Sequence, residues 1–151
     1  ILGSGPTSRL WRALVDPGLA ASASASYGGD TVDPTEFGLY ASPRPGVEPA
    51  RVEAAAGEVI AKLLDDGVTE AEVAQAIRQM TAGAAFARDS LMGGARTIGA
   101  ALAVDLPLDH VEQWPARIAT VTPARVTEAA RAVLLRDAAV TGWLMPGDRR
   151  A

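Results

Sequence analysis

Cysteine is absent from this chain of 151 residues, and histidine occurs once, as His110. The lack of cysteine excludes disulfides, thiolate metal sites and a cysteine nucleophile. A single histidine excludes a helical H-x-x-E-H zinc site on this chain, because that motif needs two imidazoles. A Ser-His-Asp triad would have to use His110, and no Gly-x-Ser-x-Gly turn is present. The sequence therefore predicts no metal site and no catalytic residue here.

Long apolar runs and a basic surplus are also missing. No stretch of about 18 uncharged apolar residues occurs, so we expect no membrane span. The 18 acidic residues outnumber the 14 basic ones, which gives a net charge of −4 and argues against a nucleic-acid partner. The hydrophobic fraction of 48% is too high for a disordered chain, and the length suits one domain.

Two segments alternate with a period of two, which is the pattern of β-strands. Between Ala20 and Tyr27 alanine alternates with serine, which predicts that Ala21, Ala23, Ala25 and Tyr27 share one face. Turn-forming residues follow, and residues 35–42 then alternate again, so the two runs indicate an antiparallel hairpin. The small side chains leave two alternatives open: a helix or another backbone packs closely on this strand, or an extended peptide adds to it.

Most of the remaining chain shows helical periodicity. Thr69 and Glu72 form a capping box at the start of one helix, and Thr122-Pro123 starts the last one. The predicted helices are 8–15, 48–65, 69–90, 95–104, 108–118 and the segment after Thr122, and Ala138–Met145 is predicted to be a third strand. This order indicates an α+β fold, an antiparallel sheet with helices packed on one face. Three strands make a thin sheet, so we expect an incomplete domain whose first strands precede Ile1.

The glycine-rich start, Gly3-Ser4-Gly5, invites comparison with a phosphate-binding loop. A phosphate loop follows a strand and ends in Gly-Lys-Ser or Gly-Lys-Thr, whereas Pro6-Thr7-Ser8 stands here. We therefore interpret this segment as the entry to the first helix.

Five phrases occur in an order that resembles the pitrilysin/insulinase family of zinc metallopeptidases. Residues 2–14, LGSGPTSRLWRAL, are similar to that family's glycine-rich phrase followed by Ser-Arg-Leu. The others are GLAASA at 18–23, DGVTEAE at 66–72, VTPARV at 121–126 and VTGWLMP at 140–146. Together these phrases cover nearly the whole chain.

The resemblance implies which part of such an enzyme this is. Family members combine homologous α+β domains; the N-terminal one holds zinc at H-x-x-E-H, and the C-terminal one lacks metal and closes over the peptide. We therefore expect residues 1–151 to be a C-terminal, inactive domain, truncated at its N-terminus, with zinc in a partner catalytic domain or subunit. A non-catalytic scaffold subunit of the same fold is the alternative. Bacterial secreted relatives make the periplasm a mild favourite over the cytoplasm.

This sequence departs from the family at two positions that bind substrate. Many relatives carry an arginine and a tyrosine that hold the substrate backbone, but Val15 and Ala21 stand at those positions here. Tyr27 lies six residues beyond Ala21 on the same predicted strand face. We therefore assign Tyr27 part of that tyrosine's role, contact with a peptide substrate, as a hypothesis.

Overall fold

The computed structural model of the chain describes residues 1–87, 90–145 and 147. A single π-helical turn, Trp11–Val15, precedes the hairpin of β1 (Ala20–Tyr27) and β2 (Phe37–Pro43). Six helices follow: α1 (Pro49–Asp66), α2 (Glu70–Ala87), α3 (Leu91–Ala103), α4 (Leu108–Glu112), α5 (Trp114–Ala119) and α6 (Pro123–Val133). A short 3-10 turn, Arg136–Ala138, comes last. The order confirms the α+β prediction, and Pro115 splits the predicted helix 108–118 into α4 and α5.

The hairpin is antiparallel, as predicted, but its register contains a bulge. Ala20 pairs with Pro43 and Ser22 pairs with Ser42, so Ala21 is the extra residue of β1. A bulge moves the following residues to the opposite face. Ala20 and Ala23 are therefore buried while Ala21 is exposed, and the prediction that Ala21 shares a face with Ala23 is wrong.

The core lies on one face of the hairpin. Leu10 and Leu14 from the first turns, Ala20 and Ala23 from β1, and Val52 from α1 form one buried cluster. Their close packing confirms that the small side chains of β1 admit a helix. A second cluster joins Leu63, Val68 and Val73 around the α1–α2 junction, and α6 packs on it through partly buried side chains.

A backbone also approaches β1 closely, at Gly3. A methyl group built on Gly3 would lie 2.7 Å from the Ala25 Cβ and 2.6 Å from the Ser24 carbonyl carbon. The following turn is fixed by hydrogen bonds from Arg9 N–H and Leu10 N–H to the carbonyls of Ile1 and Leu2. The glycine at this position is required because the two backbones leave no room for a side chain.

An ion pair joins the start of the chain to the α1–α2 junction. The Arg9 guanidinium donates to both Glu72 carboxylate oxygens, at 2.7 and 2.8 Å, and also to the Gly67 carbonyl at 2.9 Å. Glu72 accepts from Thr69 N–H at 2.9 Å, and Glu72 N–H donates to Thr69 Oγ1, which confirms the predicted capping box. The hydrogen bond from Arg9 lowers the pKa of Glu72 to about 2, and the bonds from Thr69 add to this effect against burial.

We expect acid to weaken this junction. Because the pKa of Glu72 in the folded state is about 2, below the ordinary value of 4.5, its contribution is complete above pH 4.5 and is lost as pH falls toward 2. Replacing Glu72 with Gln should lower the free energy of unfolding by about 1–3 kcal/mol at pH 7. Urea unfolding at pH 7 and pH 3 measures both effects.

The exposed Glu70 on the same helical turn is the matched control. Glu70→Gln should change stability by less than about 1 kcal/mol and keep the wild-type acid dependence, whereas Glu72→Gln should flatten it. Equal acid dependence in wild type and Glu72→Gln would show that the ion pair does not stabilise the junction.

The predicted third strand is not formed. Residues 139–145 follow the 3-10 turn without entering a sheet, and the sheet has two strands in the part of the chain that the structure describes. Val140 and Leu144 are 97% and 100% exposed. An alternating segment becomes a strand only when a neighbouring strand pairs with its backbone groups, and none of the described residues does so.

Candidate peptide-contacting surface

The face of the hairpin opposite the core carries small hydroxyl side chains. Residues that pair across the two strands share a face, so Ser22 lies beside Ser42, Ser24 beside Tyr40 and Ser26 beside Gly38. We call this set the outer face: Ser22, Ser24, Ser26, Gly38, Tyr40 and Ser42. The three serines of β1 are not buried, whereas α1 packs against the opposite, inner face.

Tyr40 is the one large side chain on the outer face. It is 57% exposed, and a methyl group built on Gly38 would lie 2.8 Å from its ring and hydroxyl. The Tyr40 ring therefore lies along the strand over Gly38, and more than half of the surface of the residue is exposed. No role for Tyr40 was predicted from the sequence, although the same alternation that predicted β2 placed Tyr40 on one face with Gly38 and Ser42.

Tyr27, the residue predicted to contact peptide, lies at the tip of the hairpin. It pairs with Phe37, and the two rings stack with centroids 6.5 Å apart. Tyr27 shares the inner face with Ala23 and Ala25, but unlike Ala23 it is not buried and is 62% exposed. The structure thus leaves the Tyr27 side chain accessible and separates it from the outer face that carries Tyr40.

The positions that hold substrate in many relatives offer no polar side chain here. Val15 packs against the core cluster of the hairpin and α1. Ala21 is exposed at the bulge of β1. The side chains of Ala21 and Val15 carry no hydrogen-bond donor or acceptor. Neither residue can therefore hold a substrate backbone as the arginine and tyrosine of many relatives do.

The described residues also do not suit zinc. No three acidic or histidine side chains among them come together as a possible metal site. The nearest ionic partner of His110 is Asp30, with 3.3 Å between Nε2 and Oδ1. Zinc in proteins takes three or four ligands, so one imidazole and one carboxylate do not form such a site. As a separate finding, no helix in residues 1–87 and 90–145 combines the length and apolar character that crossing a bilayer requires.

Several solved structures share this fold. A "putative zinc protease" from Bordetella pertussis Tohama I aligns with 97% of this chain and 80% of its own, at a TM-score of 0.83 and 20% identity. The inactive peptidase domain of a "putative zinc protease" from Bordetella parapertussis covers 91% of this chain and 72% of its own (TM-score 0.78, 20% identity). A protease from Helicobacter pylori covers 89% of this chain, but only 32% of that protein is matched (TM-score 0.78, 18% identity).

The sequence comparison identifies the family. Residues 1–80, which contain the hairpin, α1 and most of α2, match the family model described as the peptidase M16 inactive domain. No curated protein matches the chain significantly. The match covers more than half of the residues, and it agrees with the shared fold. The chain therefore belongs to the peptidase M16 family, the pitrilysin/insulinase family of zinc metallopeptidases, as an inactive domain.

Proposed function

We propose that this domain encloses peptide substrates for a zinc metalloendopeptidase whose metal and catalytic residues lie on a partner domain or subunit. The match to an inactive peptidase domain carries the proposal. The outer face of the hairpin supports it, because its serines are exposed and the described helices that join the hairpin core pack on the opposite face. On the partner, zinc would activate water for attack on the peptide carbonyl.

The outer face suits an extended peptide chemically. Side chains on one face of a strand repeat about every 6.6–6.8 Å, since each residue advances the strand by about 3.3–3.4 Å. Ser22, Ser24 and Ser26 therefore present hydroxyls at the spacing of alternate residues of a peptide that runs alongside. Hydroxyls both donate and accept hydrogen bonds, and the Tyr40 ring adds apolar contact. Such a surface holds the backbone of a peptide and selects weakly among its side chains.

Tyr27 keeps its proposed role at the hairpin tip, where the residue is 62% exposed. We expect Tyr27→Phe in the complete peptidase to lower kcat/KM for a peptide about 2- to 10-fold, the effect of losing one hydrogen bond. Tyr40→Phe tests the outer face in the same way. Initial rates with a fluorogenic peptide measure both variants.

Both substitutions keep the aromatic ring, so the urea unfolding midpoint should match wild type and serves as the control for folding. A Tyr27→Phe enzyme with unchanged peptide turnover would eliminate the role of Tyr27. Unchanged turnover in the Tyr27→Phe, Tyr40→Phe double variant would eliminate the hairpin as a peptide-contacting surface.

A scaffold subunit that makes protein-protein contacts is the second candidate function. The replacement of the substrate-holding pair by Val15 and Ala21 favours it, because Val15 serves the core instead. The coding sequence upstream of Ile1 distinguishes these two candidate functions. An in-frame H-x-x-E-H motif some two hundred or more residues earlier supports the enzyme domain. A neighbouring gene that carries the motif supports a separate partner subunit.

We also propose that residues 1–151 are the rear part of one C-terminal domain, with further strands before Ile1. The segment 139–145 supports this proposal, because its backbone N–H and C=O groups pair with no strand among the described residues and an added strand would supply partners.

A further inference from the structure

Helix α3 buries few of its apolar side chains within the described part of the chain. Its sequence, LMGGARTIGAALA, contains one charged residue, Arg96. Ala101 is 2% exposed and Ile98 is half-buried, so these two residues mark the inner side of the helix. At about 3.6 residues per turn, the side that faces away from Ala101 collects six residues. All six are exposed, and we call them the α3 face: Met92, Ala95, Arg96, Gly99, Leu102 and Ala103.

The α3 face is apolar, although the exposed side of a helix is ordinarily polar. Met92 is 70% exposed and Leu102 is 54% exposed, and Arg96 supplies the one charge between them. Truncating such exposed side chains costs a domain little stability, so they do not serve the folding of this domain. Apolar residues clustered on a surface mark sites of protein-protein contact. We therefore expect another protein surface to cover the α3 face.

Gly99 provides a second observation on the same face. A methyl group built on Gly99 would meet no described atom within 4 Å, yet glycine inside a helix costs about 1 kcal/mol relative to alanine. The size of the side chains at a contact sets how closely a second helix can approach. A partner that packs closely at Gly99 would explain the glycine. Gly57 on α1 is equally open, but Glu53 and Glu58 place it on a charged surface.

The composition around α3 indicates the chemistry of the partner. Residues 73–104 contain three arginines, one aspartate and neither lysine nor glutamate, although acidic residues outnumber basic ones in the whole chain. Interface cores are enriched in methionine and arginine and depleted in lysine, glutamate and aspartate. Because interacting surfaces have complementary charges, the partner surface would be apolar with a carboxylate opposite Arg96.

We propose that the α3 face is the docking surface for the domain or subunit that carries the zinc site. This chain matches 32% of the Helicobacter pylori protease, so most of that protein lies outside the matched region and is available to cover α3. The proposal rests on the proposed function, from which it takes the existence of the zinc-carrying partner. It does not depend on whether the hairpin contacts peptide.

Oxidation of Met92 by hydrogen peroxide in the complete peptidase tests the docking. Peroxide converts accessible methionine to its sulfoxide, and the rate follows the fraction of time for which the side chain is uncovered. A face that is covered for nine-tenths of the time is therefore oxidised about tenfold more slowly. Peptide mapping by mass spectrometry should show this tenfold protection of Met92 in wild type and its loss in Gly99→Leu, because the leucine blocks the close approach.

Gly57→Leu is the matched control, since it makes the same change at an open glycine outside the α3 face. It should retain the protection of Met92, and the urea unfolding midpoints of both leucine variants check that each is folded. Arg96→Glu, which opposes the expected carboxylate, should also expose Met92. Equal oxidation of Met92 in wild type and Gly99→Leu refutes the docking, and full protection in Arg96→Glu refutes an acidic partner surface.

Two further measurements on the same samples identify the partner. Sedimentation velocity detects self-association, and protection of Met92 that is found only in self-associated peptidase assigns the α3 face to a second copy and overturns the proposed partner. Zinc content distinguishes the docking from the proposed function. A peptidase that contains zinc but oxidises Met92 rapidly lacks the docking and keeps the proposed function, whereas a complete protein that binds no zinc refutes the proposed function itself.

Discussion

Replacing Gly3 with alanine should destabilise the protein by about 3 kcal/mol or more, the largest effect expected of a single methyl group in this chain. The added carbon would overlap the Ala25 backbone nitrogen and lie 2.6 Å from the Ser24 carbonyl carbon. Both are backbone atoms of a paired strand, so a rotamer change cannot relieve the overlap. Overpacking of this kind costs about 1–3 kcal/mol or more when backbone must shift. Thermal unfolding should show a midpoint about 6–12 °C lower.

Gly57→Ala is the matched control for this change. Gly57 lies within α1, where an added methyl group meets no atom within 4 Å. Alanine is the better helix former by about 1 kcal/mol, so this variant should be more stable than wild type. If Gly3→Ala unfolds at the wild-type temperature, the N-terminal segment does not rest against β1 as the structure describes.

The small side chains of β1 illustrate how far the sequence predicts packing. The alternation of alanine and serine predicted a strand that admits a helix or another backbone, and the structure shows both: Val52 of α1 in the same core cluster as Ala20 and Ala23, and the backbone of Gly3 close to Ser24 and Ala25. The pattern could not name Gly3 as the approaching residue. Close contact between residues 22 positions apart depends on how the chain turns, which no local pattern records.

The two wrong strand predictions have the same cause. The bulge at Ala21 depends on the register with β2, and period-two alternation assumes that register to be regular. The segment 138–145 alternates as a strand should, but strand formation needs a partner that the described residues do not supply. Local patterns therefore predicted most of the helices, because helical hydrogen bonds join residues close in sequence. They failed for the strands, because strand register and strand formation depend on pairing with residues far away in sequence.

For the candidate surface, too, the sequence predicted local features and missed those that depend on long-range pairing. The sequence singled out Tyr27 by its distance from Ala21 along one assumed face, and the bulge removes that relation. Tyr27 nonetheless remains accessible, and Tyr40, which was not assigned a role, proves to be the large side chain of the outer face. The contact of His110 with Asp30 joins residues 80 positions apart. No spacing rule predicts such a contact, although the composition had already marked His110 as unique.

Leu14→Ala should cost about 2–5 kcal/mol in the free energy of unfolding, the usual range for a leucine truncated in a core. Leu14 is 1% exposed and, with Leu10, is the largest fully buried side chain in the described part of the chain. It lies on the π-helical turn that leads into β1 and contacts the cluster shared by the hairpin and α1. The cavity would therefore loosen the strand that carries the outer face. Urea unfolding followed by tryptophan fluorescence measures the loss.

Leu102→Ala provides the same chemical change at an exposed position. Leu102 is 54% exposed on α3, so its truncation should alter stability by no more than about 0.5 kcal/mol. If the outer face contacts peptide as proposed, Leu14→Ala in a peptidase that retains the catalytic partner should also reduce peptide turnover at temperatures where the variant is still folded, because β1 is less firmly held. Equal stability losses in the two leucine variants would contradict a core centred on Leu14. Full turnover in a destabilised Leu14→Ala enzyme would instead show that peptide cleavage does not depend on the hairpin.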